Sequence, residues 1–186
     1  MALREIKFSP DRSVEAIIYV ASKLANPTIH EVLKLRYFAD KLHLAKFGFL
    51  ASGDDYVAMQ FGPVASSTYN ILKAARGDQT GWLHPRFYDL VSGSLSIGED
   101  RKSVILLRGA NTDLLSRAEL SCLDEAVQTY GGMSFKQRTK LSHDSAWEAA
   151  YKIAEEDEVG QSPISLEAIA QTLTNAPEVI SHLRAQ

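Results

Sequence analysis

The chain is expected to fold as an α+β protein: a mostly helical single domain with a small antiparallel β-sheet around a central helix. Three observations predict this. Most of the sequence places apolar residues three and four apart, the spacing of a helix face. Two short passages, 56–61 and 86–108, change to the composition and turn chemistry of strands. Finally, the stretch from Thr28 to Phe47 carries two apolar stripes where a surface helix carries one, so it must be covered on two sides.

Ser9-Pro10-Asp11 opens the first helix, with proline in the first turn where a missing N–H costs nothing. Val14, Ile17, Ile18, Ala21 and Leu24 line its apolar face, and Asn26-Pro27 ends it. The short connection predicts antiparallel packing on the next helix. Thr28 and Glu31 form a capping-box pair at the start of that helix, and Gly48 supplies a left-handed stop. On it, Leu35, Phe38, Ala39, Leu42 and Ala45 share one face, and Leu33, Tyr37 and Leu44 the nearly opposite one. Lys34 and Lys41 form one polar ridge between them; Arg36, Asp40 and His43 form the other. The plain reading is a central core helix. The sharper one makes Leu33, Tyr37 and Leu44 a docking stripe for a partner.

A turn at 52–55 leads to a strand at 56–61, after which Gly62-Pro63 is expected to break the strand and open a helix through Val64, Tyr69, Ile71 and Leu72. Phe87 to Val91, Leu95 to Ile97 and Val104 to Leu107 read as extended segments of one small sheet that strand 56–61 joins. Capping boxes at Ser116…Glu119 and Ser134…Gln137 open two further helices. Ser142-His143-Asp144 caps a third, carrying Trp147, Ala150, Tyr151 and Ala154. Residues 160–163 read as a linker, and two short helices follow. The expected organisation is one domain over 1–162, with a helical extension over 163–186 packed on it.

With 186 residues, 45% of them hydrophobic, the chain is long enough for a real core. A formal net charge of −3 gives no global attraction to nucleic acid or anionic membrane. The single cysteine, Cys122, excludes an internal disulfide and any multi-cysteine zinc site. The first residues lack the apolar core of a signal peptide, and no apolar run approaches the roughly 20 residues that span a bilayer. The expected location is the cytoplasm.

Searching for chemistry yields little. His30 and His43 are thirteen residues apart on one helix and point in different directions, while His84, His143 and His182 stand alone, so no metal is expected. The chain has no nucleophile elbow and no glycine-rich phosphate loop, and no cofactor is expected. Asp40 and His43 leave open a small enzyme with an Asp–His base, although such spacing more often holds a helix face in register. His143 and Trp147, at i and i+4, read as architectural. Leu166 to Leu173 and Pro177 to Leu183 have the rhythm of a helix-turn-helix, which leaves open a DNA-binding regulator. The second helix carries few positive charges, so packing helices are the preferred reading and nucleic acid is not the expected partner.

Several of these motifs taken together resemble a known family. Residues 34–48, from Lys34 through Arg36, Tyr37, Asp40, Lys41 and His43 to Gly48, are similar to the signature helix of the SocA-like, or Panacea, antitoxin domain, which phage-associated GepA proteins also carry. Residues 56–64, containing Tyr56, Gly62 and Pro63, with Tyr69 after them, resemble its second block. Residues 115–131 and 141–147, the latter with His143 and Trp147, resemble the third and fourth. The resemblance implies a mostly helical α+β antitoxin that neutralises a neighbouring toxin by direct binding, or, as in SocA itself, as an adaptor delivering it to an AAA+ protease. It carries over no catalytic residue, and no enzyme is expected because no catalytic motif is found. Candidate partner contacts are Tyr37, Lys41, His43 and Tyr69; Asp40, Tyr56, Gly62, Pro63, His143 and Trp147 are motif residues with structural roles. Self-association stays open, and no membrane partner is expected.

Overall fold

The computed structural model describes residues 7–79 and 84–185, so residues 1–6 of the start, read above for leader character, lie outside it. Helix α1 (Pro10–Ser22) and the central helix α2 (Ile29–Phe47) come first, then a hairpin of β1 (Tyr56–Met59) and β2 (Gly62–Ala65). Helices α3 (Ser66–Ala75) and α4 (Pro85–Ser92) precede a second hairpin, β3 (Leu95–Ile97) and β4 (Val104–Leu106). Helices α5 (Arg117–Tyr130), α6 (Phe135–Ser142) and α7 (Ser145–Glu156) follow, then β5 (Ser162–Ile164), α8 (Leu166–Gln171) and α9 (Ala176–Arg184).

The central helix has the ends its sequence dictates. Thr28 and Glu31 form the full capping box, and Gly48 closes the helix at φ +81. Its first apolar stripe packs mainly on α5, with Phe38 against Tyr130 at 4.2 Å between ring centroids. The opposite side meets the first hairpin and α6, and reaches the N-cap of α7 through Asp144. Val32, Leu35, Tyr37 and Leu44 are fully buried. So are most of the polar ridges: Lys34, Arg36, Asp40 and His43 are each at most 3% exposed, while Lys41 keeps a partly exposed side chain. The helix is enclosed on all sides from Val32 to Asp40 and opens to solvent in its last turn.

Four expectations need correction. Residues 85–92 form a helix, because Phe87, Leu90 and Val91 fall three and four apart on one face and Pro85 sits in the first turn. Gly62-Pro63 does not end the strand region: the chain turns through Gln60 and Phe61, and β2 pairs antiparallel with β1, Met59 opposite Gly62. Pro63 is tolerated there because β2 is an edge strand. The strands make two sheets instead of one, ordered β2-β1-β5 and β3-β4. The stretch read as a linker ends as β5, which pairs antiparallel with β1 through Tyr56 and Ile164.

Capping holds the remaining helices in register. Ser134 and Gln137 make the expected two-way box on α6. Ser116 caps α5, but Glu119 does not reach back to it, since arginines engage its carboxylate. Helix α3 has no cap from its own flank. Asp54 caps it from a distance, accepting the N–H groups of Ser67 at 2.9 Å and Thr68 at 2.7 Å.

Gly62 shows how tightly the hairpin sits. Its φ is +101, and a Cβ there would lie 2.4 Å from Ser142 Oγ and 3.0 Å from Lys34 Nζ. Gly62→Ala is therefore expected to destabilise the protein by about 2 kcal/mol, read from the urea midpoint. A midpoint within experimental error of wild type would show that the hairpin is free to move.

Candidate functional site

The sequence singles out α2, and the structure shows what its polar residues touch. His30, Lys34, Tyr37 and Lys41, spaced by four, three and four, share one side of the helix. They form a seam against α6, the β1–β2 hairpin and the start of α7. His30 Nε2 lies 3.1 Å from Thr139 Oγ1. Lys34 Nζ donates to the Pro63 carbonyl at 2.8 Å. The Tyr37 hydroxyl and Lys41 Nζ both donate to one carboxylate oxygen of Asp144, each at 2.8 Å. The other Asp144 oxygen accepts the Trp147 N–H at 3.1 Å and so caps α7. Trp147 donates its indole N–H to the Met59 carbonyl at 2.9 Å and stacks on His143 at 3.5 Å between centroids.

On the far side of α2, Arg36, Asp40 and His43 form a second seam. Arg36 lies 3.5 Å from Glu119, whose other oxygen accepts from Arg12 at 2.8 Å. Asp40 accepts from the Ser52 N–H at 3.0 Å, from the Tyr56 hydroxyl at 2.7 Å and from the Ser52 hydroxyl. His43 donates from Nδ1 to the Phe49 carbonyl at 2.9 Å, with Phe47 and Phe49 against its ring. Asp40 and His43 thus take separate partners and no hydrogen bond joins them among the described residues. This agrees with the preferred reading of the pair as structural and lowers the alternative of an Asp–His base: both are buried and turned to loop 49–52 and β1.

Burial sets the protonation of the seams. Lys34 has no carboxylate at ion-pair distance among the described residues, and burial pulls its pKa down to about 7. Burial, with the Lys34 and Arg138 charges nearby, takes His30 down to about 3. His143 is lowered by burial and by Lys34. Burial raises the phenols of Tyr37 and Tyr56, and the adjoining Asp144 and Asp40 carboxylates push the same way. Asp54 is raised because its burial outweighs the hydrogen bonds it accepts.

The four residues proposed as partner contacts therefore differ in reach. Tyr37 and His43 are buried, which corrects the expectation that they touch a partner directly: neither offers a surface to one. Lys41 keeps 19% of its side chain exposed beside Asp144. Tyr69 on α3 is half-buried, with Lys73 Nζ 5.1 Å from its ring centroid. The sequence reading missed Asp144 as the junction of the first seam and Glu119 as the junction of the second. It also missed Asp54. The one local signal was a carboxylate type within each capping stretch; its partners lie more than a hundred residues away for Asp144 on α2 and for Glu119 on Arg12. Among the described residues no three His, Cys, Asp or Glu side chains converge as for a metal, and no helix is long and apolar enough to cross a membrane.

The family model described as "Antitoxin SocA-like, Panacea domain" matches residues 32–148, more than half of the chain. The match begins on α2 and ends just inside α7, so it contains both seams except His30 and Arg12. No curated protein and no solved structure gives a significant match.

Lys34 gives a pH test. An amine whose folded pKa lies near 7, below its ordinary 10.5, is proton-free in the fold while the unfolded chain still binds its proton between those values. Stability should rise with pH from about 7 to 10, with a slope of up to about 1.4 kcal/mol per pH unit. Lys34→Met should flatten that slope in urea denaturation at pH 7, 8 and 9. An unchanged slope would assign the titration to another group.

Proposed function

The chain belongs to the SocA-like antitoxin family with its Panacea domain, and on that premise we propose that it neutralises a toxin encoded beside it by direct protein–protein binding in the cytoplasm. Its role is antitoxin-like. The family match over residues 32–148 carries the reading. The interior supports it. The polar residues of α2 that looked most like chemistry take their hydrogen bonds inside the fold, so they hold a surface in shape and do not present a reactive group. Delivery of the bound toxin to an AAA+ protease is a narrower form of the same proposal. The α8–α9 pair offers little to DNA, since Arg184 is paired with Glu167 and α8 has only six residues.

We keep Lys41 and Tyr69 as direct contacts and Tyr37, which shares Asp144 with Lys41, as a support of Lys41; His43, on the other side of α2, is dropped as a contact. Charge reversal at Lys41 would set a second carboxylate against Asp144, so a neutral substitution is the cleaner probe. Co-expression with the adjacent open reading frame's product should restore growth and yield a complex that co-purifies. Lys41→Met is expected to weaken that complex at least tenfold while lowering stability by about 1 kcal/mol or less, the worth of a partly exposed ion pair. Unchanged affinity would remove Lys41 from the contact surface, and absence of any complex would remove direct binding.

A further inference from the structure

One surface joins three parts of the chain that lie far apart in sequence. The β1–β2 turn presents Phe61, 52% exposed, at a position where turn chemistry favours small polar residues. Its ring meets Phe135, at the first position of α6 and 46% exposed, edge to face at 5.5 Å. Phe135 in turn packs on His30 of α2 at 4.1 Å. Two aromatic side chains thus support each other while facing solvent, which costs stability unless something covers them.

The segments that carry the two rings bring no negative charge of their own. Residues 131–143 and 56–65 contain no aspartate or glutamate, in a chain whose net charge is −3. On α6, Lys136 and Lys140 are exposed, one turn apart on one ridge, and have no ion-pair partner among the described residues. Arg138 is buried and paired with Glu31. His30 stays neutral near pH 7, so the charge offered is that of the lysines. His30 also lies on the same side of α2 as Lys41, about 16 Å along the helix at 1.5 Å per residue.

We propose that Phe61 and Phe135, flanked by Lys136 and Lys140, form the docking site for an acidic segment of the toxin that carries an apolar anchor. This rests on the antitoxin reading and extends it to a second contact region on the Lys41 side. The anchor residue packs on the aromatic pair, and carboxylates beside it meet the two lysines.

The test uses the full chain and the adjacent frame's product, by titration calorimetry at 50 and 500 mM salt and by growth rescue. Phe61→Ser with Phe135→Ser is expected to lower affinity at least thirtyfold. Lys136→Glu with Lys140→Glu should lower it at least tenfold at low salt and remove most of the salt dependence. Both double variants should keep the wild-type circular dichroism, and Lys152→Glu on α7 should bind as wild type. If wild type binds and rescues but the phenylalanine variant binds within threefold of it, this site is overturned and the antitoxin reading stands. If wild type neither binds nor rescues, both fall. Unchanged toxin binding with loss of a self-dimer in sedimentation would assign the patch to a second copy. Unchanged toxin binding with loss of binding to a single-stranded 20-mer would assign it to nucleic acid. Either result overturns the proposal.

Discussion

Everything in this fold depends on enclosing a helix that is not apolar all round. Helix α2 carries a lysine, an arginine, an aspartate and a histidine into places at most 3% exposed. An unpaired charge in such a place costs several kcal/mol, so each group must either find partners or give up its charge. The protein does both. Asp40 and Arg36 are partnered, whereas Lys34 sheds its proton more readily and donates to a single carbonyl. The partners come from the β1–β2 hairpin, loop 49–52, α5 and the start of α7. The polar seams therefore set how the elements fit together. Hydrophobic burial drives these elements together without preferring one register, and hydrogen bonds of fixed direction select it.

Much of this architecture could be read from the sequence where the signal is local. Both ends of α2 follow from Thr28, Glu31 and Gly48, because capping is decided within four residues. The caps on α6 and α7 were legible for the same reason. The extended reading of residues 87–91 failed because so short a stretch, apolar except for Asp89, fits either period; the proline at 85 outweighed it. The second strand was missed because glycine and proline normally end strands, and only its edge position allows them there. The candidate site was legible as a helix but not as a pair of seams. Tyr37 looked like part of an apolar stripe, and its buried acceptor is Asp144, 107 residues further on. No periodicity reports a partner at that distance.

Membership in an antitoxin family fits a scaffold of this kind. The interior around α2 is specified by hydrogen bonds that leave few substitutions open, whereas the turn at Gln60–Phe61 and the outer ridge of α6 are bound by no such demand. A fold arranged this way can hold its frame constant while its outer residues change with the partner. On the docking proposal above, the aromatic and cationic side chains at that turn and ridge are where one partner would be told from another.

The last strand has a consequence for how the chain tolerates shortening. β5 supplies the outer partner of β1, opposite Tyr56 through Ala58. A cut before Ser162, placed to shed only the two terminal helices, would strip hydrogen-bonding partners from a strand in the middle of a sheet. The bared backbone of Tyr56 to Ala58 would then be an adhesive rim, ready to recruit the same strand of another molecule. Pieces trimmed at that apparent boundary would clump for reasons unrelated to what α8 and α9 do in the intact protein.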